Sequence, residues 1–82
     1  MSNTAVTLEG SKNLFSFCKK EMQKIQGKRL KDHAFVDLLS MSATDVSLWK
    51  AGKKKITNIE HYLKLAEATQ TNINELYEIS TK

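Results

Sequence analysis

Three times in its second half the chain sets Ser, Thr or Asn three residues ahead of an acid: Ser42 with Asp45, Thr57 with Glu60 and Asn72 with Glu75. A side-chain oxygen at that spacing accepts from the unpaired backbone N–H groups of a helix's first turn, and the acid lies at the helix's positive end. Helix starts are therefore predicted near residues 43, 58 and 73. Two more helices precede them. Leu14, Cys18, Met22 and Ile25 recur at spacings of four, four and three with lysines between, which predicts an amphipathic helix over residues 12–26, closed by Gly27. Phe35, Leu38 and Leu39, with Val36 beside them, predict a short one between Asp32 and Leu39. No segment shows convincing strand-like alternation, so the predicted fold is an all-α bundle of five short helices.

At 82 residues the chain suits one small domain, in which roughly 60% of the unfolded surface is buried. Residues 1–10 lack a sustained period and are expected to form a flexible tail, leaving 11–80 as the single domain. Ile59, Leu63 and Ala66 are the expected buried stripe of the fourth helix, and Ile73, Leu76 and Tyr77 that of the fifth. Tyr62, Tyr77 and Ile79 exceed what a small core requires and are candidates for a dimer seam. No apolar run nears the ~20 residues of a membrane span and the start is unlike a secretory signal, so a soluble intracellular protein is expected.

A single cysteine forms no internal disulfide, and His33 and His61 alone offer no zinc-ligand spacing. There is no nucleophile with a base, no paired carboxylates at a defined spacing and no glycine-rich phosphate loop. An enzyme is not expected, nor are catalytic residues, a metal or a cofactor.

Charge is unevenly distributed. The whole chain carries +4, yet residues 11–55 hold eleven Lys and Arg against Glu21, Asp32, Asp37 and Asp45, a local +7. The remainder is slightly acidic. A basic part set against a neutral one suits a polyanion approached from one side.

Within that basic part, residues 31–51 read as two short helices broken at Ser40-Met41-Ser42. Phe35 and Leu39 of the first then face Val46 and Trp49 of the second, with Met41 filling the corner, so the pair crosses steeply. That is the pattern of a helix-turn-helix, whose second member fits a major groove ~12 Å wide. Trp49 is expected in the core, and Cys18 as a small buried hydrophobe.

The run RLKDHAFVDLLSMSATDVSLWKAGKKKITNIEHYLKLAEATQTNINELY resembles the Cro/CI (XRE) type helix-turn-helix regulators of phages and bacteria. The likeness covers residues 14–77, including the AGKKKIT connection, the LKLAEA stripe and the final NINELY helix. It implies a compact five-helix, sequence-specific DNA-binding domain, a repressor of phage or mobile-element type. It further implies a homodimer on double-stranded DNA with two related half-sites, in the cytoplasm of a bacterial or phage-infected cell and with no small-molecule ligand. Four positions depart from the family pattern: Ser40 for a turn glycine, Val36 for a small alanine, and Asp32 and Ala43 for glutamines. Ser40 must adopt a left-handed backbone or alter the turn.

In such a domain the recognition helix spans residues 43–50. Ala43, Thr44, Asp45, Ser47 and Lys50 are the candidates for contact with bases, through hydroxyls, a methyl, a carboxylate and an ammonium. For Asp45 helix capping is an alternative role. Lys28, Arg29 and Lys31 before the motif, and Lys53, Lys54 and Lys55 after it, are the candidates for neutralising phosphates. Lys19, Lys20 and Lys24 either extend this basic patch or merely solvate the first helix. The competing function is a protein-interaction module, such as an antitoxin or anti-regulator, to which the acidic, aromatic carboxyl-terminal segment points.

Overall fold

A computed structural model describes residues 8–81, which form five helices in the order α1 (Glu9–Gln26), α2 (His33–Leu39), α3 (Ala43–Lys50), α4 (Ile59–Thr69) and α5 (Ile73–Ser80). Among the described residues there is no strand, and no helix is long and apolar enough to cross a membrane. The all-α reading therefore holds. Helix α1 packs against α3, α4 and α5, while α2 packs against α3 and α4.

Most of the expected tail, residues 1–7, lies outside the described residues. The remainder of it is not tail at all. Helix α1 starts at Glu9, three residues before the predicted start, and the Leu8 N–H donates to the Gly52 carbonyl at 2.7 Å. Gly10 explains why this turn belongs to the domain. A Cβ there would run into the Ser80 carbonyl, so the absence of a side chain lets the first turn of α1 cross the end of α5.

The core centres on three rings. Phe15 of α1, Phe35 of α2 and Trp49 of α3 meet pairwise with centroids 4.8 to 5.2 Å apart, the indole edge-on to both phenyl rings. Such edge-to-face pairs add about 0.5–1.5 kcal/mol each beyond burial. Leu14, Cys18, Met22, Leu30, Leu39, Met41, Val46, Ile56, Tyr62, Leu65 and Leu76 complete the buried cluster. Burial pushes the Cys18 thiol up to about 12, so this cysteine behaves as the small hydrophobe expected. A second aromatic pair, Tyr62 and Tyr77, joins α4 to α5 with centroids 4.4 Å apart.

Three expectations about packing are corrected. Ile25 is 45% exposed because the last turn of α1 runs past the core. In α4 the buried residues are Tyr62, Leu65 and Thr69, whereas Ile59 and Leu63 are 56% and 54% exposed. Thr69 tolerates burial because its hydroxyl donates to the Leu65 carbonyl at 2.7 Å. Tyr62, expected at a dimer seam, is buried instead, its hydroxyl donating to the Ile56 carbonyl at 2.8 Å.

Two of the three caps fall on the predicted residues. The Ser42 hydroxyl accepts from the Asp45 N–H at 3.0 Å, and Asn72 caps α5 through the Asn74 N–H at 2.8 Å. For α4 the cap is Asn58, not Thr57; its amide oxygen accepts from the Glu60 N–H at 2.8 Å. Asparagine is the stronger capping residue of the two.

Candidate nucleic-acid interface

The three residues between α2 and α3 set the direction of α3. Ser40 takes the left-handed conformation with φ 55°, ending α2, and Met41 turns into the core. Ser42 then returns to extended backbone and caps α3. At the far end, Gly52 is left-handed at φ 78°, with the Gly52 N–H on the Trp49 carbonyl and the Lys53 N–H on the Leu48 carbonyl. This paired closure reverses the chain, sending residues 53–55 back beside the helix.

Helix α3 buries Val46 and Trp49 and exposes the rest of its length apart from the half-buried Asp45. Successive residues turn by roughly 100°, so the side opposite Val46 and Trp49 carries Thr44, Ser47, Leu48 and Ala51. All four are exposed. Ala43 and Lys50 lie on one flank of that side, Asp45 on the other.

Both flanks are tied down by ion pairs. Lys50 Nζ donates to Asp32 Oδ2 at 2.8 Å, and Lys19 Nζ donates to Asp32 Oδ1 at 2.9 Å. The Lys50 and Lys19 ammonium groups hold the Asp32 carboxyl below the usual carboxylate range. Across α3, Lys54 Nζ lies 3.1 Å from Asp45 Oδ1. The Asp45 carboxylate therefore neutralises a lysine while its backbone N–H is capped by Ser42.

These contacts revise the roles of single residues. Lys50 leans from the end of α3 toward the start of α2, away from the centre of the exposed side. Asp32 does not stand as an isolated negative charge, since two ammonium groups neutralise it. Asp32 also draws three basic segments together: Lys19 on α1, Lys31 next to it in sequence, and Lys50 on α3. Lys28, Arg29, Lys31, Lys53 and Lys55 are exposed, with no carboxylate partner among the described residues. Lys20, Lys24, Lys28 and Arg29 line one open cleft of about 430 Å³, so the first helix extends the basic surface.

Leu48 and Ala51 are absent from the contacts expected from sequence, yet they share the exposed side with Thr44 and Ser47. The signal was present as the spacing 44, 47, 48, 51, the one-sided rhythm of a helix, shifted from the buried pair 46 and 49. A search for hydrogen-bonding side chains passes over it. No group of three or more potential metal-ligating side chains gathers among the described residues. Comparison of the chain with protein-family models, with curated proteins and with solved structures gives no match.

Proposed function

We propose that the chain is a sequence-specific double-stranded DNA-binding regulator, with α2 and α3 acting as a helix-turn-helix of the Cro/CI type. The observation that carries this reading is the arrangement around α3: an exposed, uncharged side with an ion-paired lysine at each flank, Lys50 on Asp32 and Lys54 on Asp45, and the exposed cations Lys53 and Lys55 in the segment that follows the helix. A helix about 10–12 Å across matches the major groove, and cations on either side meet the phosphate strands that border it. Phosphate contact fixes register, while the uncharged side faces base edges. Repression follows from occupancy of an operator, and no step of it calls for a cofactor or an enzyme activity.

Lys28, Arg29, Lys31, Lys53 and Lys55 are the phosphate contacts available without breaking an ion pair. Five such contacts correspond to a log–log slope of affinity against salt of about −4 to −5 per subunit. The test is selection from a random duplex pool followed by titration of the selected duplex over a range of salt. A recovered consensus with a slope in that range supports the reading; no consensus and a slope near zero would sink it.

A homodimer is part of this proposal, and the exposed pair Ile59 and Leu63 on α4 is its contact. Glu60 and Lys64 flank the pair, so two copies of α4 running antiparallel set Lys64 of each near Glu60 of the other. Two side chains fall far short of the roughly 800 Å² per partner of a stable interface. The two copies therefore associate on DNA rather than in free solution. The same apolar pair is what favours the competing protein-interaction module. Sedimentation of the protein alone and with the selected duplex separates them: one copy alone and two on a two-fold symmetric site support the regulator.

A further inference from the structure

The exposed side of α3 holds no residue able to grip a base with two hydrogen bonds. Helix α3 contains no Arg, Asn or Gln, and its cation Lys50 is turned to Asp32. What this side presents instead is apolar. Leu48 is 36% exposed, one of five large apolar residues so placed among the described residues, and Thr44 and Ala51 set further methyl groups beside it. An isobutyl group held in water gains about 25 cal/mol for each Å² it covers on binding.

The major groove offers one apolar group to such a strip, the C5-methyl of thymine. Cytosine has hydrogen at that position, and neither purine carries an alkyl group along that edge. The unpaired cations Lys28, Arg29, Lys31, Lys53 and Lys55 would hold α3 in the groove through phosphates, and the small residues Ala43, Thr44, Ser47 and Ala51 let its backbone approach the groove floor. We infer that this face reads thymine methyl groups, with Leu48 at the centre of the contact and Thr44 and Ala51 on either side. The preferred half-site is accordingly rich in A·T pairs where α3 lies. The Ser47 hydroxyl, which both donates and accepts, serves a neighbouring adenine or thymine edge without choosing between them.

The inference rests on the DNA-binding reading, and its test separates the two. In the selected duplex each thymine is replaced in turn by deoxyuracil, which removes the methyl and leaves every hydrogen-bonding group in place. Wild-type protein is expected to bind about fourfold more weakly for each contacted methyl removed. Leu48→Ala is on the surface and should fold as the wild type does, which a thermal melt checks. This variant is expected to bind the thymine and deoxyuracil duplexes nearly alike at the central position. Wild-type binding indifferent to deoxyuracil everywhere, or a full methyl effect retained by Leu48→Ala at every position, overturns the methyl reading alone. Failure to select any duplex overturns both readings together.

Discussion

Lys50 and Asp32 are joined by a 2.8 Å hydrogen bond that spans eighteen positions of sequence and links the end of α3 to the start of α2. Lys19 takes the other oxygen of the same carboxylate, so one acid occupies two cations on the basic surface. A phosphate reaching this point competes with Asp32 for both. The carboxylate and both lysines are substantially solvated, and exposed pairs of this kind contribute only about 0–1 kcal/mol to stability.

Asp32→Asn keeps the size of the side chain and removes its charge. The expected result is tighter DNA binding, with the salt slope steeper by about one to two per subunit as Lys19 and Lys50 turn to phosphate. A thermal melt is expected to change little. Weaker binding in this variant would mean that Asp32 positions the lysines for DNA instead of occupying them.

Ser40 has φ 55° at the turn between α2 and α3. A side chain in the left-handed region meets its own backbone, a cost of about 1–2 kcal/mol that glycine escapes, though glycine loses more chain entropy on folding. Ser40→Gly is therefore expected to stabilise the fold by about 0.5–1 kcal/mol in urea denaturation, and Ser40→Val to destabilise it. A loss of stability in the glycine variant would argue that the serine hydroxyl has a role in the turn.

What the sequence made legible follows from how local each signal is. The cap Ser42 and the left-handed close of α1 at Gly27 act within a few residues, and both stand where the pattern placed them. The buried face of α4 is a different matter. The segment from Ile59 to Ala68 contains two apolar stripes, one through Ile59 and Leu63 and one through Tyr62 and Leu65, and the choice belongs to α1, α2 and α5 packed against it. Tyr62 wins because its hydroxyl finds the Ile56 carbonyl and its ring stacks near Tyr77, contacts that no period reveals. The ion pairs of Asp32 and Asp45 were equally hidden, since they join residues nine to eighteen positions apart. They leave the exposed side of α3 in place and engage Lys50 and Asp45 at its flanks.

Gly10 tests the corrected start of α1. Alanine normally favours a helix interior over glycine by about 1 kcal/mol. Here the added methyl meets the Ser80 backbone, and overpacking of this kind costs about 1–3 kcal/mol. Gly10→Ala is expected to lower the thermal midpoint despite its better helix propensity. A raised midpoint would show that the first turn of α1 does not cross α5 at this point.

Tyr62 ties stability to alkaline pH. Its phenol is 2% exposed, donates to the Ile56 carbonyl at 2.8 Å and lies 3.0 Å from the Ser80 hydroxyl. Burial raises its pKa above the ordinary value near 10, and the Ser80 hydroxyl, able to donate to a phenolate, offsets only part of that. The folded state thus holds the phenolic proton more tightly than the unfolded chain does. The stabilisation is complete below about pH 10 and declines as pH rises from there through the raised folded value. Urea denaturation between pH 7 and 11 is expected to show the midpoint falling from about pH 9, where the buried Cys18 thiol begins the decline, and more steeply above pH 10 as the phenol adds to it. Tyr62→Phe should begin about 1 kcal/mol less stable at neutral pH, having left the Ile56 carbonyl without its donor, and should lose the added steepness above pH 10. An equally steep decline in Tyr62→Phe would assign the alkaline limb to other groups and leave the buried phenol with a purely structural part in joining α4 to α5.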